Sequence, residues 1–134
     1  MKCFLIDDDE DDREIFLSAL NRVNPDYACL TAVHGEDALR VLKEQSEFVP
    51  DFIFLDLNMP LMDGRACLIE LKKLPKILNV PIIIFTTSSY QKDVEDTLEL
   101  GASNYFVKPT SFNHLVATLI SYFEGNNSNY LIKL

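Results

Sequence analysis

Short apolar runs alternate along the chain with longer segments in which apolar residues recur at helical spacing. The runs have the length of β-strands, and the periodic segments predict amphipathic helices. Five strands are predicted, at residues 3–6, 27–33, 51–55, 80–86 and 104–107. Five helices are predicted, at residues 10–23, 36–47, 64–74, 90–100 and 111–124. Strands and helices therefore alternate strictly over most of the chain.

Two of the predicted strands contain runs that are apolar at every position, namely residues 52–55 and 82–85. A strand tolerates apolar residues on both sides of its pleat when helices cover both faces of the sheet, as in parallel sheets. Right-handed crossovers then give a doubly wound, flavodoxin-like α/β fold with helices on both faces of a five-stranded parallel sheet. We predict the strand order 2-1-3-4-5, with ligands bound at the carboxyl ends of the central strands.

The alternating pattern covers residues 1–124, which we predict to form one domain, and residues 125–134 form a C-terminal tail. No output domain is expected after this tail. The tail has a polar spacer followed by the apolar residues Tyr130, Leu131, Ile132 and Leu134. These residues either dock on a second protomer or a partner, or pack on their own domain or fray. We expect a monomer or a weak homodimer.

The bulk composition restricts the partners and the compartment. With 134 residues, 48% of them hydrophobic, the chain is long enough for a substantial core. Its net charge of -9 opposes binding to a phosphate backbone, so no nucleic-acid partner is expected. The three cysteines lack CxxC spacing, which favours reduced thiols and a cytoplasmic location. Neither a signal peptide nor a run of membrane-spanning length is present, so no membrane association is expected.

An unbroken acidic run, residues 7–12, directly follows the first predicted strand. Asp9 can cap the next helix, and the acids at positions 10–12 complement the positive end of its dipole. Asp7 and Asp8 are not explained by the helix, and a divalent cation would relieve their repulsion. An EF-hand is excluded, because Asp12 and Ser18 stand where its loop needs glycine and glutamate. The acidic run therefore predicts a cation site at the strand end.

Three more polar residues, Asp56, Thr86 and Lys108, occur at or just after the ends of predicted strands. Taken singly, each has an ordinary explanation: a loop cap, a β-branched strand residue and a surface charge. Parallel strands end at one edge of the sheet, so all three should meet Asp7 and Asp8 there. Because an acidic cluster without a cation is destabilising, the shared position favours a functional site.

Four motifs in this order resemble the receiver domains of two-component response regulators over about residues 2–124. The motifs are residues 4–9 (FLIDDD), 56–64 (DLNMPLMDG), 81–87 (PIIIFTT) and 101–109 (GASNYFVKP). The resemblance implies that Asp56 accepts a phosphoryl group from a histidine kinase or a histidine phosphotransfer protein. It does not distinguish partners of phytochrome-type kinases or relay proteins from chemotaxis-like regulators.

The same resemblance implies a Mg²⁺ cofactor, with Mn²⁺ as a possible substitute. Asp8 would bind the ion directly, Asp7 largely through water, and Asp56 and the backbone carbonyl of Asn58 would complete the protein ligands. The catalytic residues would be Asp56, Lys108 and Thr86. Thr86, Lys108 and the backbone N–H of Thr87 would bind the phosphoryl oxygens, since phosphoryl transfer depends on positioning and charge neutralisation.

Two further pairs of residues take roles from the resemblance. Thr86 and Tyr105 would form a switch, in which Tyr105 turns from exposed to buried and alters the face that binds a downstream protein effector. The side chains of Asn58 and Ser88 would tune slow hydrolysis of the acyl phosphate.

A cis Lys108–Pro109 peptide would aim the lysine. No turnover of an independent substrate is expected.

Two rival functions can be weighed from the residues. A haloacid dehalogenase-like phosphatase also uses a strand-end aspartate, Mg²⁺ and a lysine. It needs a second aspartate two residues later, where this chain has Asn58, which cannot act as a general acid or base. The other rival is a non-phosphorylated receiver-like module that only binds proteins. Such modules usually lack an acid, the acceptor or the lysine, and this chain has all of them.

Overall fold

The structure is a computed structural model that describes residues 1–132. A six-stranded parallel sheet forms its centre, with the strand order β2-β1-β3-β4-β5-β6. The strands are β1 (Lys2–Ile6), β2 (Ala28–Ala32), β3 (Phe52–Leu55), β4 (Ile82–Thr86), β5 (Asn104–Val107) and β6 (Leu131–Ile132). The predicted order 2-1-3-4-5 is confirmed, and the sheet has one strand more than predicted.

Five α-helices connect the strands, as the periodic segments predict. They are α1 (Glu10–Val23), α2 (Gly35–Glu44), α3 (Gly64–Lys72), α4 (Gln91–Glu99) and α5 (Phe112–Phe123), with a short 3-10 helix at Pro75–Ile77. Helix α2 ends three residues before its predicted end. The ammonium of Lys76 donates to the carbonyls of Leu42 and Gln45 there, which satisfies backbone groups that another helical turn would have paired. No helix within residues 1–132 combines the length and the apolar character needed to cross a bilayer.

The core lies on both faces of the sheet, which is why β3 is apolar throughout and β4 is apolar up to its last residue, Thr86. One layer packs Phe4, Ile53 and Ile84 against α2 and α3. The other packs Leu5, Phe54, Ile83, Phe85 and Phe106 against α1 and α5. This doubly wound arrangement leaves the carboxyl edge of the sheet as the place where loops and polar side chains meet.

Strand β6 comes from the tail, whose described residues pack on their own domain. The side-chain amide of Asn104 on β5 donates to the carbonyls of Asn127 (3.2 Å) and Asn129 (2.9 Å). The hydroxyls of Tyr130 and Thr97 lie 2.6 Å apart, which joins the tail to α4. Of the two alternatives for the tail, the structure therefore shows packing on its own domain, while Leu134 lies outside the described residues.

Candidate functional site

Two aspartates that follow neighbouring strands are brought together at the carboxyl edge of the sheet. Asp7 follows β1 and Asp56 follows β3, and the Asp56 N–H donates to the carbonyl of Ile6 at 3.0 Å. Asp7 is 1% exposed and Asp56 is 7% exposed, so both carboxylates are largely removed from water. The parallel register of β1 and β3 thus fixes the spacing of two charges that are 49 positions apart in sequence.

Asp8 joins these two residues in a cluster with the geometry of a metal site. One carboxylate oxygen from each of Asp7, Asp8 and Asp56 lies within 4.8 Å of the others. Asp8 is exposed, which leaves the cluster open to solvent on one side. Carboxylate oxygens are the ligands preferred by Mg²⁺ and also by Mn²⁺, so the donor set fits the cation that the sequence predicts.

The Lys108 ammonium reaches the same cluster from the end of β5. Its Nζ lies 2.7 Å from Asp7 Oδ2, 2.8 Å from Asp12 Oδ2 and 3.5 Å from Asp56 Oδ2. It also lies 5.5 Å from the centre of the Phe85 ring. The backbone N–H of Lys108 donates to the carbonyl of Thr86 at 2.7 Å, which anchors the lysine to the end of β4.

The pKa values of Asp56 and Lys108 are both raised, but for different reasons. Burial, reinforced by the nearby charge of Asp7, raises the pKa of Asp56 above its ordinary value, although Lys108 and hydrogen bonds from Thr86 and Asn58 oppose the rise. Burial alone would lower the pKa of Lys108, but hydrogen bonds to Asp12 and Asp7 outweigh it and the pKa is raised. Lys108 therefore stays charged, and its ammonium interacts with Asp7, Asp12 and Asp56 together.

The loops after β3 and β4 place the remaining predicted residues around Asp56. The backbone N–H of Asn58 lies 3.5 Å from Asp56 Oδ1, and the Asn58 side chain is exposed. Thr86 is completely buried, whereas Thr87 is exposed in the following loop. The Ser88 N–H lies 3.4 Å from the Thr86 hydroxyl. Asn58 and Thr86 thus lie next to Asp56, Thr87 and Ser88 follow Thr86 along the chain, and Tyr105 lies within β5.

Gly64 at the start of α3 permits the close approach of this helix to the Asp56 loop. A Cβ at this position would lie 2.5 Å from the carbonyl oxygen of Asp56 and 2.5 Å from Leu57 Cα. Both are backbone atoms, which cannot swing aside as a flexible side chain can. The Gly64 N–H also donates to the Leu57 carbonyl at 2.9 Å, so the glycine ties the helix to the loop that carries the acceptor candidate.

The predicted switch residue Tyr105 is fully buried on β5. Its hydroxyl donates to the Ser88 carbonyl at 2.8 Å, and its backbone N–H donates to the Tyr130 carbonyl at 2.8 Å. The Tyr105 ring is also 6.3 Å from that of Tyr130, centre to centre. The structure therefore shows the buried orientation of Tyr105, in contact with both the loop after β4 and the tail.

Several contacts at the site are not predicted from the sequence. Asp12 is assigned above only to the helix dipole, yet it binds Lys108. Arg13 donates to the Asp7 carbonyl at 2.9 Å. Asp93 on α4 accepts from both Ser88 and Arg65, which joins the loop after β4 to α3. The spacing of Asp12 from Asp7 allows this contact but does not require it, because one turn of a helix that starts at the strand end can return its third residue to that edge.

The predicted cis peptide at Lys108–Pro109 is wrong, since no cis peptide bond occurs in residues 1–132. The trans form is favoured for X-Pro bonds by about 0.5–1 kcal/mol. Lys108 reaches the carboxylates from the trans peptide, so the site gives no reason to offset that preference.

The chain is similar in sequence to several known proteins. A family model described as the response regulator receiver domain matches residues 3–120. The response regulator Rcp1 of Synechocystis sp. is 30% identical over 115 residues, which cover 83% of this chain and 78% of Rcp1. A probable transcriptional regulator, ycf27 of Porphyridium aerugineum, is 38% identical over 120 residues, 90% of this chain but only 47% of that protein.

Two solved structures of cyanobacterial regulators superpose on the fold. The phosphorylated cyanobacterial phytochrome response regulator RcpA gives a TM-score of 0.81 at 28% identity, covering 92% of this chain and 91% of RcpA. The Mn²⁺-bound form of Rcp1 gives a TM-score of 0.80 at 26% identity, covering 99% of this chain and 97% of Rcp1.

Proposed function

Because the chain belongs to the response regulator receiver domain family, we propose that it accepts a phosphoryl group on Asp56 from a histidine kinase or a histidine phosphotransfer protein. The observation that carries this proposal is the position of the Asp56 carboxylate, which lies in the cluster with Asp7 and Asp8 and 3.5 Å from the Lys108 ammonium. A nucleophile, a cation site and a fixed positive charge are thus combined on one edge of the sheet.

The cation that fits this site is Mg²⁺, with Mn²⁺ as a substitute. Asp8 would bind it directly and Asp7 largely through water, while Asp56 and the Asn58 carbonyl complete the protein ligands. When bound, the ion neutralises charge on the phosphoryl oxygens and helps to orient the donor. Besides its role at the cation site, Asp7 binds the Lys108 ammonium, with Oδ2 2.7 Å from Nζ.

The transfer itself needs few groups from the protein. An ionised Asp56 oxygen attacks phosphorus, the bond from phosphorus to the donor nitrogen breaks, and an acyl phosphate forms on Asp56. The Lys108 ammonium, the Thr86 hydroxyl and the Thr87 N–H bind the phosphoryl oxygens. Because burial raises the pKa of Asp56, the fraction of nucleophilic carboxylate falls as the pH is lowered through that raised value.

The signal is read out by binding of a downstream protein. Movement of Thr86 toward the phosphoryl group would bias Tyr105 between two orientations and change the face formed by α4, β5 and α5. Support comes from the chain of contacts in the structure, in which Tyr105 binds the Ser88 carbonyl two residues after Thr86. Free thiols at Cys3, Cys29 and Cys67 support a cytoplasmic location, and a monomer or weak homodimer is part of the same proposal.

The acyl phosphate would be hydrolysed slowly, at a rate set by the side chains of Asn58 and Ser88. Asn58 is exposed beside the Asp56 carboxylate and can hold a water, whereas the Ser88 hydroxyl is bound by Asp93. Replacement of Asn58 by lysine should therefore change the rate at which the phosphorylated protein loses its phosphoryl group. An equal rate in the Asn58→Lys variant and the parent would contradict this role.

The experiment that tests the main proposal is incubation with acetyl phosphate and Mg²⁺, followed by measurement of the intact mass. We expect a gain of one phosphoryl group that disappears in Asp56→Asn and in the presence of EDTA. Asp51→Asn is the matched control, because Asp51 precedes the same strand at its other end and binds the Lys2 N–H. An unmodified parent mass would favour the non-phosphorylated binding module, and an undiminished gain in Asp56→Asn would exclude Asp56 as the acceptor.

A further inference from the structure

The Lys108 ammonium is shared with an acid that lies outside the cation cluster. Asp12 Oδ2 lies 2.8 Å from Lys108 Nζ, closer than the 3.5 Å between Nζ and Asp56 Oδ2. An ammonium has three hydrogens to donate. Asp7 and Asp12 each receive a hydrogen bond from it, so one hydrogen remains for Asp56 or for a group bound to Asp56.

The position of Asp12 is fixed by the start of α1. The Asp12 N–H donates to the capping carboxylate of Asp9 at 2.9 Å, and the Asp9 N–H donates to Asp7 Oδ1 at 3.0 Å. This chain of bonds ties the first turn of the helix to the end of β1. The Asp12 side chain is 37% exposed, whereas that of Asp7 is 1% exposed, so Asp12 is held at the rim of the site by Lys108 and the helix.

We propose that Asp12 is a positioning residue that restrains Lys108 and competes electrostatically with the phosphoryl group for its charge. The inference deepens the proposed function and rests on it. Asp12 neutralises part of the ammonium and takes one of its hydrogens, and it also places a negative charge close to the group that Asp56 receives. Phosphorylation is therefore slower in this chain than the cation site and Lys108 alone would allow.

The size of the effect follows from the distances. The contacts of Asp12 and Asp56 with the same Nζ place their Oδ2 atoms no more than about 6 Å apart. For like charges at that separation, effective dielectric constants of about 40 to 80 give a penalty equivalent to a three- to ten-fold change in rate or affinity. Dielectric constants in this high range apply because Asp12 is partly exposed.

The test compares Asp12→Asn with Asp11→Asn. Both variants remove one negative charge from the first turn of α1, but Asp11 is exposed and precedes the residue that binds Lys108. Two quantities are measured with saturating Mg²⁺: the initial rate of phosphoryl gain from acetyl phosphate, and the affinity for beryllofluoride followed by amide NMR shifts. Asp12→Asn should raise both by about three- to ten-fold, while Asp11→Asn should change each by less than about two-fold.

Two further measurements separate electrostatic competition from a structural effect. Asp12→Glu, which keeps the charge, should return both quantities toward the parent values. The advantage of Asp12→Asn should also shrink at high salt, because the partly exposed charge of Asp12 is screened. A merely structural role for Asp12 would not produce a gain that depends on charge and salt.

The outcomes distinguish this inference from the proposed function. Equal behaviour of Asp12→Asn and Asp11→Asn, or slower phosphorylation and weaker beryllofluoride binding in Asp12→Asn, would overturn the role of Asp12. A parent protein that gains no phosphoryl group would overturn the proposed function instead. Beryllofluoride binding would then still report whether Asp12 opposes an anionic group beside Asp56.

Discussion

Substitution of Asp56 by asparagine should have opposite effects on stability with and without a divalent cation. The Asp56 carboxylate is 7% exposed, and burial together with the Asp7 charge raises its pKa. Its nearest cation, Lys108, is 3.5 Å away and is bound more closely by Asp7 and Asp12. The ionised side chain is therefore a cost to the folded state when no metal is bound, and a ligand when one is.

Without metal, Asp56→Asn removes a poorly compensated buried charge and should raise the free energy of unfolding by about 1 kcal/mol at neutral pH. The gain depends on pH in a defined direction. A raised folded-state pKa means that stability from the protonated carboxyl is complete below the ordinary pKa of aspartate and is lost as the pH rises through the raised value. The advantage of Asp56→Asn over the parent should therefore shrink as the pH is lowered.

With metal, the order reverses. At a Mg²⁺ concentration 100 times the dissociation constant, binding stabilises the parent by about 2.7 kcal/mol. For a chain of this size, with about 3–4 °C for each kcal/mol, the unfolding temperature should rise by about 10 °C. Asp56→Asn loses one of the three carboxylate ligands, which should weaken Mg²⁺ binding at least ten-fold. At the same Mg²⁺ concentration, binding would then stabilise this variant by about 1.4 kcal/mol or less.

Thermal unfolding followed by circular dichroism, in EDTA and in Mg²⁺, measures both effects on the same samples. Asp51→Asn serves as the control, because it removes one charge at the far end of β3 and should keep the parent response to Mg²⁺. Two results would refute the reasoning. One is a lower unfolding temperature for Asp56→Asn than for the parent in EDTA, and the other is an equal rise with Mg²⁺ in both proteins.

Two further substitutions test the contacts that hold the tail on β5 and helix α3 against the Asp56 loop. Asn104→Ala should lower the free energy of unfolding by about 2 kcal/mol, because it leaves the Tyr122 hydroxyl and two tail carbonyls without their buried partner. Denaturant titration measures this loss, and an effect no larger than that of exposed Asn126→Ala would contradict it. Gly64→Ala should slow phosphorylation from acetyl phosphate and lower stability by about 1–3 kcal/mol, because its Cβ meets the Asp56 and Leu57 backbone. Gly35→Ala, which meets only the flexible Met62 side chain, should cost less, and equal losses would argue against the proposed clash.

Much of the fold could be predicted because its patterns are local. The fully apolar segments at residues 52–55 and 82–85 require cover on both faces, which indicates a parallel sheet before any contact is known. Strand β6 was missed for the opposite reason. It has two residues, and its place in the sheet depends on side-chain bonds from Asn104, which lies more than 20 positions earlier.

The site shows the same division. Asp7, Asp8, Asp56 and Lys108 could be selected because each follows an apolar run, and strand ends of a parallel sheet converge. The sequence could not predict which of these acids lies closest to the Lys108 ammonium. Asp12 has a sufficient local explanation as a helix-dipole residue, so its pattern in the sequence does not require a contact across the site.

The sequence by itself determined the alternation of strands and helices. It also determined which polar side chains, namely carboxylates, a hydroxyl and an ammonium, follow the ends of the strands. These properties depend on neighbours along the chain, where apolar periodicity and backbone geometry act directly. Only the tertiary structure decided that Lys108 binds Asp7 and Asp12 more closely than Asp56, that Tyr105 lies buried, and that the tail extends the sheet. Each of these depends on distances between segments that helical crossovers bring together, and a change of 1 Å in such a distance alters which charge or hydrogen bond prevails.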